Sequence, residues 1–233
     1  FGMVDDSFQG KPATKMAEIV RTEDGSDTLY VRELDEHYHS VHGAVQESEH
    51  IFINSGFNFS KADPVRILEI GFGTGLNALL TCIHAERLNK KVSYTSIEKY
   101  PLQPETTSSL NYPDILKGDS RRLFEKIHGC NWNSFVQISG NFKLNKIEGD
   151  LLSLNIEGTF DLVYFDAFGP DKQPEMWSDD IFNGIGAATC RNGILVTYSV
   201  KGSVRRSLKR SGFNITLLPG PPGKRHILRA IKS

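Results

Sequence analysis

The sequence has few of the features that build disulfide, metal or membrane proteins. Its three cysteines, Cys82, Cys130 and Cys190, lie far apart and form no C-x-x-C pair, so neither a disulfide framework nor a cysteine zinc site is indicated. No apolar run has membrane length, because Glu69, Asn77 and three glycines interrupt the best candidate. No basic-then-apolar signal segment opens the sequence. We therefore expect a globular protein in a reducing, cytoplasmic setting, without a membrane partner.

Acidic residues are missing from the last part of the chain. Residues 181–233 contain ten Lys or Arg residues and no Asp or Glu, whereas residues 1–180 carry 17 basic and 28 acidic residues. The formal net charge of the chain is only −1, so its two parts have opposite charge. This asymmetry favours a polyanionic partner for the C-terminal part. A solvated basic helix face is the alternative, and charge alone does not separate the two.

The pattern of apolar residues predicts one α/β domain over residues 61–233, preceded by an N-terminal extension over residues 1–60. Residues 17–33 predict a hairpin around the turn Asp24-Gly25-Ser26-Asp27. Strands and helices then alternate, which predicts parallel strands joined by helical crossovers. The predicted strands are 66–70, 92–98, 143–149, 160–168, 193–199, 214–219 and 225–232, and the predicted helices are 75–88, 102–127, 178–189 and 201–210.

Two further segments shape this prediction. Residues 128–145 look like a hairpin inserted into the alternation. The last two strands are joined by Gly220-Pro221-Pro222-Gly223, so they are close enough in sequence to pair antiparallel at the edge of the sheet.

A glycine-rich loop follows the first strand of the main domain in ILEIGFGTGLN, residues 67–77. Glycines allow the backbone to approach a ligand closely, although a tight structural turn is the alternative. The dinucleotide fingerprint G-x-G-x-x-G would need glycine at position 76, where this chain has leucine, so NAD binding is disfavoured. The E-x-G-x-G-x-G arrangement instead resembles motif I of class I S-adenosylmethionine-dependent methyltransferases. It comprises Glu69, Gly71, Gly73 and Gly75.

Acidic residues follow the next three strands of the predicted sheet. Glu98 ends the second strand, where a carboxylate can accept both ribose hydroxyls of a nucleoside. Asp150 follows the third strand, a position that commonly meets the adenine amino group in the methyltransferase fold. Asp166 follows the fourth. Each acid alone could be a helix cap, but three successive strand ends behind a glycine loop favour a ligand site.

The stretch FDAFGPDKQPEMW, residues 165–177, carries a closer resemblance. It resembles the bacterial tRNA wobble-uridine methyltransferases (MnmC-like), which complete the 5-methylaminomethyl group of 2-thiouridine. Further matching residues are Tyr38-His39-Ser40, Gly43-Ala44, Glu47-Ser48, Val204-Arg205-Arg206, Leu208, Gly212-Phe213 and Gly223-Lys224-Arg225. Two-domain members of that family also carry an FAD-dependent oxidase domain. Since this sequence shows no such domain, it resembles a stand-alone form that receives an aminomethyl uridine made elsewhere.

This resemblance implies a class I methyltransferase fold, with a mostly parallel seven-stranded sheet, an antiparallel edge strand and a small N-terminal β-hairpin extension. S-adenosylmethionine is the implied cofactor, partly covered by a helix or loop of the extension. The histidines of the H-x-H-x-x-H stretch lack the partners of a zinc site, so no metal is expected. The implied cofactor residues are Glu69, Gly71, Gly73, Gly75, Asn77, Glu98, Asp150, Tyr38, Ser40 and Glu47.

The same resemblance places the anticodon loop of a tRNA at the site. Asp166 is the candidate catalytic residue, because an orienting base must present the acceptor amine unprotonated; a cofactor-side or capping carboxylate is the alternative. Phe168, Pro170 and Trp177 are candidates for contact with a flipped base, although Trp177 could equally fill the core. The candidates for contact with the RNA backbone are Lys201, Arg205, Arg206, Lys209, Arg210, Lys224 and Arg225.

Two other functions remain open from the sequence. A small-molecule amine methyltransferase or aminopropyltransferase-like enzyme would share the glycine loop and the acids, but it would not require a basic C-terminal part. A non-catalytic RNA-binding module on the same fold would be expected to have a broken loop or to lack Asp166, and the sequence has neither defect.

Overall fold

The computed structural model describes residues 17–233, and the first 16 residues of the predicted extension lie outside that range. The strands are β1 (Ala17–Arg21), β2 (Asp27–Val31), β3 (Glu36–His37), β4 (Val65–Ile70), β5 (Val92–Glu98), β6 (Phe135–Gln137), β7 (Phe142–Glu148), β8 (Phe160–Phe165), β9 (Thr189–Thr197), β10 (Phe213–Pro219) and β11 (His226–Lys232). The helices are α1 (Ala44–Ser48), α2 (Leu76–Leu88), α3 (Pro104–Ser108), α4 (Tyr112–Leu116), α5 (Ser120–Gly129), α6 (Asp179–Ala188) and α7 (Gly202–Arg210), with a π-helical segment at Glu49–Phe57 and a 3-10 turn at Pro174–Trp177.

The central sheet has eight strands in the order β10-β11-β9-β8-β4-β5-β7-β6. The five strands from β9 to β7 run parallel to their neighbours. The strand β11 pairs antiparallel with both β9 and β10, which confirms the predicted antiparallel edge. The sheet has one strand more than the seven predicted, because the inserted segment at 128–145 contributes β6 antiparallel to β7.

The region predicted as one helix over 102–127 contains three short helices. Proline lies in the first turn of α3 and of α4, and proline favours helix starts because it has no N–H to donate. Lys117, with φ of 57°, and Gly118, with φ of 58°, then turn the backbone into the left-handed region before α5. Periodicity alone missed these breaks because apolar residues recur through all three helices.

The sheet separates two apolar layers. Alternate residues of β8 point to opposite faces, so Leu162 and Tyr164 pack into one layer and Val163 and Phe165 into the other. The helices α2 and α5 and the π-helical segment cover the first layer, and α6 and α7 cover the second. Within residues 17–233, no helix is long and apolar enough to cross a membrane.

The predicted N-terminal hairpin is present as β1 and β2, and β3 extends it to a three-stranded antiparallel sheet. Asn111 joins this small sheet to the main domain. Its side chain accepts a hydrogen bond from the Asp27 N–H and donates one to the Gly25 carbonyl, each at 2.9 Å. The Asn111 N–H also donates to the Asp27 carboxylate at 2.9 Å. The domain boundary at residue 60 stays a prediction.

We predict that Asn111→Ala lowers the free energy of unfolding by about 1 to 3 kcal/mol, because two backbone groups of the hairpin lose their partners. Denaturant unfolding measures this change. Asn58→Ala is the matched control: its side-chain amide donates to Asn54 at an exposed site, so a change within about 0.5 kcal/mol is expected. Equal stability of the two variants would contradict the proposed joining role of Asn111.

Candidate active site

A cavity of about 560 Å³ lies at the carboxyl ends of β4, β5 and β8. This is where open parallel sheets bind ligands, because the loops after these strands diverge there. The cavity is lined by the glycine-rich loop, by strand-end acids, by residues 36–42 of the extension and by Lys224 near the C-terminus. The fold therefore brings distant parts of the chain to one site.

The glycine-rich loop is held so tightly that side chains would not fit. Gly71 has a φ of 90°, and a Cβ atom there would lie 2.8 Å from the Asp166 carbonyl oxygen. At Gly73, with a φ of 50°, a Cβ atom would lie 2.9 Å from the Tyr38 ring. Both glycines line the cavity. A ligand can thus approach bare backbone, as the sequence predicted, and Tyr38 covers this loop.

Glu98 and Asp150 present carboxylates to the cavity. Glu98 accepts hydrogen bonds from the N–H groups of Gly73 at 3.0 Å and Tyr100 at 2.8 Å, which fix its orientation. Lys99 Nζ lies 2.7 Å from Asp150 Oδ2, and this hydrogen bond lowers the pKa of Asp150. Oriented carboxylates at two neighbouring strand ends can accept hydrogen bonds from hydroxyl and amino groups of a nucleoside.

Asp166 lies half-buried in the wall of the cavity. Its Oδ2 accepts a hydrogen bond of 2.8 Å from Asn77 Nδ2, and its N–H donates to the Ile70 carbonyl at 3.0 Å. Burial, followed by repulsion from the carboxylates of Glu47 and Glu69, raises the pKa of Asp166 well above its usual range. The carboxylate of Asp166 is thus a stronger proton acceptor than one exposed to water.

Glu47 closes the cavity from the extension side. It is only 7% exposed and accepts a hydrogen bond from the Ser40 N–H at 2.6 Å. Lys224 Nζ lies 2.9 Å from the other carboxylate oxygen of Glu47 and 5.4 Å from the centre of the Tyr198 ring. Lys224 was predicted to contact RNA backbone, but it lies in the cavity, because the turn before β11 folds over α1.

Two predicted cofactor residues do not line the cavity. Glu69 is 0% exposed and lies beneath the glycine-rich loop, where it accepts a hydrogen bond of 2.6 Å from Ser96 Oγ. A Cβ atom at Gly75 would point at the His128 ring, 2.8 Å away. The prediction of direct cofactor contact by Glu69 is therefore corrected, because β4 points this side chain into the protein.

The predicted base-contacting residues separate into two groups. Phe168 lines the cavity, and its ring meets the edge of Tyr38 at 5.0 Å. Trp177 is only 6% exposed, packs on Phe165 at 4.7 Å and donates a hydrogen bond of 2.8 Å to the Phe168 carbonyl. Trp177 is thus a core residue that supports Phe168, and it cannot stack on a base from this position. Pro170 lies in the same loop but does not line the cavity.

Two of the basic residues predicted to contact RNA form ion pairs with aspartates. Lys201 pairs with Asp171 and Arg210 pairs with Asp179. These acids precede residue 181 in the sequence. The fold nevertheless brings them next to basic residues of the C-terminal segment, which itself contains no acids. Arg205, Arg206 and Lys209 instead line a shallow groove between α7 and β10, together with Gly202, Ile215 and Leu217. Arg225 is exposed in the turn before β11.

Tyr198 and Lys99 are among the polar residues of the cavity that sequence reasoning missed. Tyr198 follows β9 and donates a hydrogen bond of 2.8 Å to the Ala167 carbonyl, so the strand-end rule could have found it.

In the histidine stretch, burial lowers the pKa of His39 to about 4, so this side chain is neutral at physiological pH. No group of three or more His, Cys, Asp or Glu side chains in residues 17–233 is arranged to hold a metal ion.

Comparison with known proteins identifies the family. Residues 114–233 match a family described as S-adenosyl-L-methionine-dependent methyltransferase. The chain belongs to this family. The crystal structure of MnmC2 from Aquifex aeolicus is similar to this methyltransferase, with a TM-score of 0.77, 29% identity, and coverage of 94% of this chain and 71% of that one. Spermidine synthase from Thermotoga maritima shares the fold, with a TM-score of 0.55 at 11% identity.

Curated relatives carry the name tRNA 5-methylaminomethyl-2-thiouridine biosynthesis bifunctional protein MnmC. The relative from Leptospira interrogans is 32% identical over 213 residues, which are 84% of this chain and 32% of the relative. The relative from Chromobacterium violaceum is 29% identical over 204 residues, which are 82% of this chain and 31% of the relative. The methyltransferase thus spans about a third of the length of these relatives.

These findings confirm the predicted fold class and S-adenosylmethionine as the cofactor. The geometry fits this cofactor: the cavity combines bare glycine backbone with the carboxylates of Glu98 and Asp150, which suit a ribose and an amino-bearing base. The positions of Gly71, Gly73, Asn77 and Tyr38 at the cavity also agree with a role in binding it.

We predict that Glu98→Ala weakens binding of S-adenosylmethionine, because the ribose hydroxyls lose an acceptor and the Gly73 N–H loses its partner. Each hydrogen bond to a carboxylate contributes on the order of 1.5 to 3 kcal/mol, so affinity should fall at least about tenfold. Isothermal titration calorimetry measures this change. Glu125→Ala on the exposed face of α5 is the control, and an unchanged affinity in Glu98→Ala would remove Glu98 from the cofactor site.

Proposed function

We propose that this methyltransferase N-methylates the aminomethyl group of 5-aminomethyl-(2-thio)uridine at the wobble position of tRNA, giving 5-methylaminomethyl-(2-thio)uridine. The observation that carries the proposal is the position of Asp166, whose carboxylate faces the cavity beside the cofactor loop. The similarity to proteins named for tRNA 5-methylaminomethyl-2-thiouridine biosynthesis supports the choice of acceptor.

Methyl transfer to an amine sets two requirements for the protein. S-adenosylmethionine supplies an electrophilic methyl group, and the acceptor nitrogen must lie in line with it and carry a free electron pair. An alkylamine has a pKa near ~10.4 and is mostly protonated at neutral pH. Asp166 can accept a hydrogen bond from this nitrogen and take up its proton, because burial has raised the pKa of the carboxyl.

Aromatic and charged side chains complete the acceptor end of the cavity. Phe168 and Tyr38 meet edge to face, so the Phe168 ring is held in one orientation where it can flank the uracil ring. Glu47 adds a second carboxylate on the same side. An acceptor that enters as an ammonium ion can lose its proton at Asp166.

The groove beside α7 is the proposed contact surface for the tRNA backbone. The helix α7 begins just after the carboxyl end of β9, so it starts at the same edge of the sheet as the cavity. Arg205, Arg206 and Lys209 are exposed there, and their positive charges are suited to bind phosphates. Lys201 and Arg210 flank them, but each already pairs with an aspartate.

The test of this function is transfer of a labelled methyl group from S-adenosylmethionine to tRNA that contains 5-aminomethyl uridine, followed by nucleoside analysis. We expect 5-methylaminomethyl uridine as the product. Asp166→Asn should lower turnover by about 100-fold or more, because the orienting base acts mainly in the transition state. Its affinity for S-adenosylmethionine should change little.

The pH dependence of turnover, compared between the unmodified enzyme and Asp166→Asn, tests the proposed role of Asp166. A carboxyl with a raised pKa is ionised above that pKa and protonated below it, so turnover by the unmodified enzyme should fall as the pH decreases through it. The relative loss in Asp166→Asn should be largest above the raised pKa of Asp166, where the unmodified enzyme holds an ionised base, and should shrink below it. Lost cofactor affinity with turnover at saturation preserved would place Asp166 in the cofactor site instead.

We predict that tRNA affinity falls steeply with salt, since each neutralised phosphate releases counterions with a log-log slope of roughly −0.7 to −0.9. Lys209→Gln should reduce this slope by about one contact and weaken all tRNAs alike. Lys61→Gln is the matched control, because Lys61 is exposed before β4 at the opposite edge of the sheet. Filter binding across a salt series measures both, and equal slopes would contradict the proposed surface.

A further inference from the structure

A buried carboxyl group beneath the cavity has no role in the function proposed so far. Glu69 is 0% exposed and receives one hydrogen bond, from Ser96 Oγ to its Oε2. Its Oε1 is buried and has no hydrogen-bond partner among the described residues. A buried, charged oxygen without a donor would cost several kcal/mol. This arrangement therefore suits a neutral carboxyl group better than a charged one.

Asn77 connects this group to Asp166. The Asn77 amide donates to Asp166 Oδ2 at 2.8 Å, while its Oδ1 is buried and likewise has no donor within residues 17–233. A proton on Glu69 Oε1 would supply one donor, and Asn77 Oδ1 is a buried acceptor that lacks one. Protonation of Glu69 would also leave both Asn77 N–H groups available to the Asp166 side.

We propose that Glu69 is protonated in the resting enzyme and acts through Asn77 as a positioning residue that holds Asp166 ready to accept the proton of the methyl acceptor. This proposal deepens the proposed function and rests on it for its kinetic consequence. It assigns Glu69 a task other than direct contact with the cofactor. The chain of side chains runs from β4 through α2 to the loop after β8.

The electrostatic surroundings agree with a protonated Glu69. Burial raises the pKa of Glu69 to about 8, and the hydrogen bond from Ser96 together with the nearby polar groups of Asn77 and Tyr94 offsets only part of this effect. The polar groups that face Glu69 come from α2, β5, β8 and the loop after β8, and they include no basic side chain. They are Asn77, Tyr94, Ser96, Glu98, Tyr164 and Asp166.

Ionisation of Glu69 would disturb Asp166 in two ways. A carboxylate at Glu69 would compete with Asp166 for the N–H groups of Asn77. It would also place a second negative charge near Asp166, and repulsion between the two carboxylates opposes the positioned state. Since Glu69 has a raised pKa, the positioned state exists below about pH 8 and is lost as the pH rises through that value. Turnover should therefore decline at alkaline pH, although the amine is then less protonated.

The kinetic test compares Glu69→Gln with Glu69→Ala across pH. Glutamine keeps a neutral donor at this position at every pH, so the decline of turnover above about pH 8 should disappear in Glu69→Gln. Glu69→Ala should have a kcat about tenfold or more below that of Glu69→Gln, with little change in affinity for S-adenosylmethionine. Glu125→Gln is the control and should keep the alkaline decline. An alkaline decline that persists in Glu69→Gln would overturn the proposal.

A second measurement is independent of the methyl acceptor. Infrared spectroscopy detects the carbonyl stretch of a protonated carboxyl group, which an ionised carboxylate lacks. We expect such a band at neutral pH that disappears as the pH rises through about 8, that remains in Asp166→Asn and that is absent in Glu69→Gln. Its absence in the unmodified protein would overturn the proposal even if tRNA is methylated. If the band is present but tRNA is not methylated, the result supports a protonated Glu69 and contradicts the proposed methyl acceptor.

Discussion

The close approach of the backbone at Gly71 is the constraint on which the rest of the site depends. The space for a side chain at this position is filled by the Asp166 carbonyl, 2.8 Å from where a Cβ atom would lie. The Gly71 N–H donates to Ile97 and the Asp166 N–H donates to Ile70, both at 3.0 Å. The ends of β4, β5 and β8 are therefore one hydrogen-bonded unit. The glycine-rich loop and the proposed base Asp166 therefore cannot move independently of each other.

Charge is divided between the inside and the outside of this methyltransferase. The cavity is lined by more acids than lysines, namely Glu36, Glu47, Glu98, Asp150, Asp166 and Glu175 against Lys99, Lys172 and Lys224, whereas the groove along α7 is basic. A sulfonium cofactor and an ammonium acceptor are both cations, and a polynucleotide is an anion. The basic groove can thus attract the phosphates of the proposed tRNA substrate at the surface. The acidic cavity separately favours a cationic group inside the protein.

The sequence predicted those features that depend on local pattern. Alternating strands and helices and the rule that sites lie after strands placed Glu98, Asp150 and Asp166 at one edge. The resemblance to motif I did not reveal that Glu69 is buried, because this residue lies within β4 and the strand directs it inward. The charge count along the sequence did not reveal the ion pair of Arg210, because its partner Asp179 is 31 residues away. Burial and ion pairing between distant segments follow from tertiary packing, which no local pattern contains.

An ion pair between α1 and the turn before β11 lies at the cavity. Glu47 from α1 accepts from the Ser40 N–H and pairs with Lys224 from the turn before β11. A cation already neutralises one carboxylate at the acceptor end, so an incoming ammonium must either displace Lys224 from Glu47 or be received by Asp166 alone. Displacement costs an ion pair that is largely shielded from water. Reception by Asp166 alone, the role proposed for that residue, leaves the pair of Glu47 and Lys224 intact.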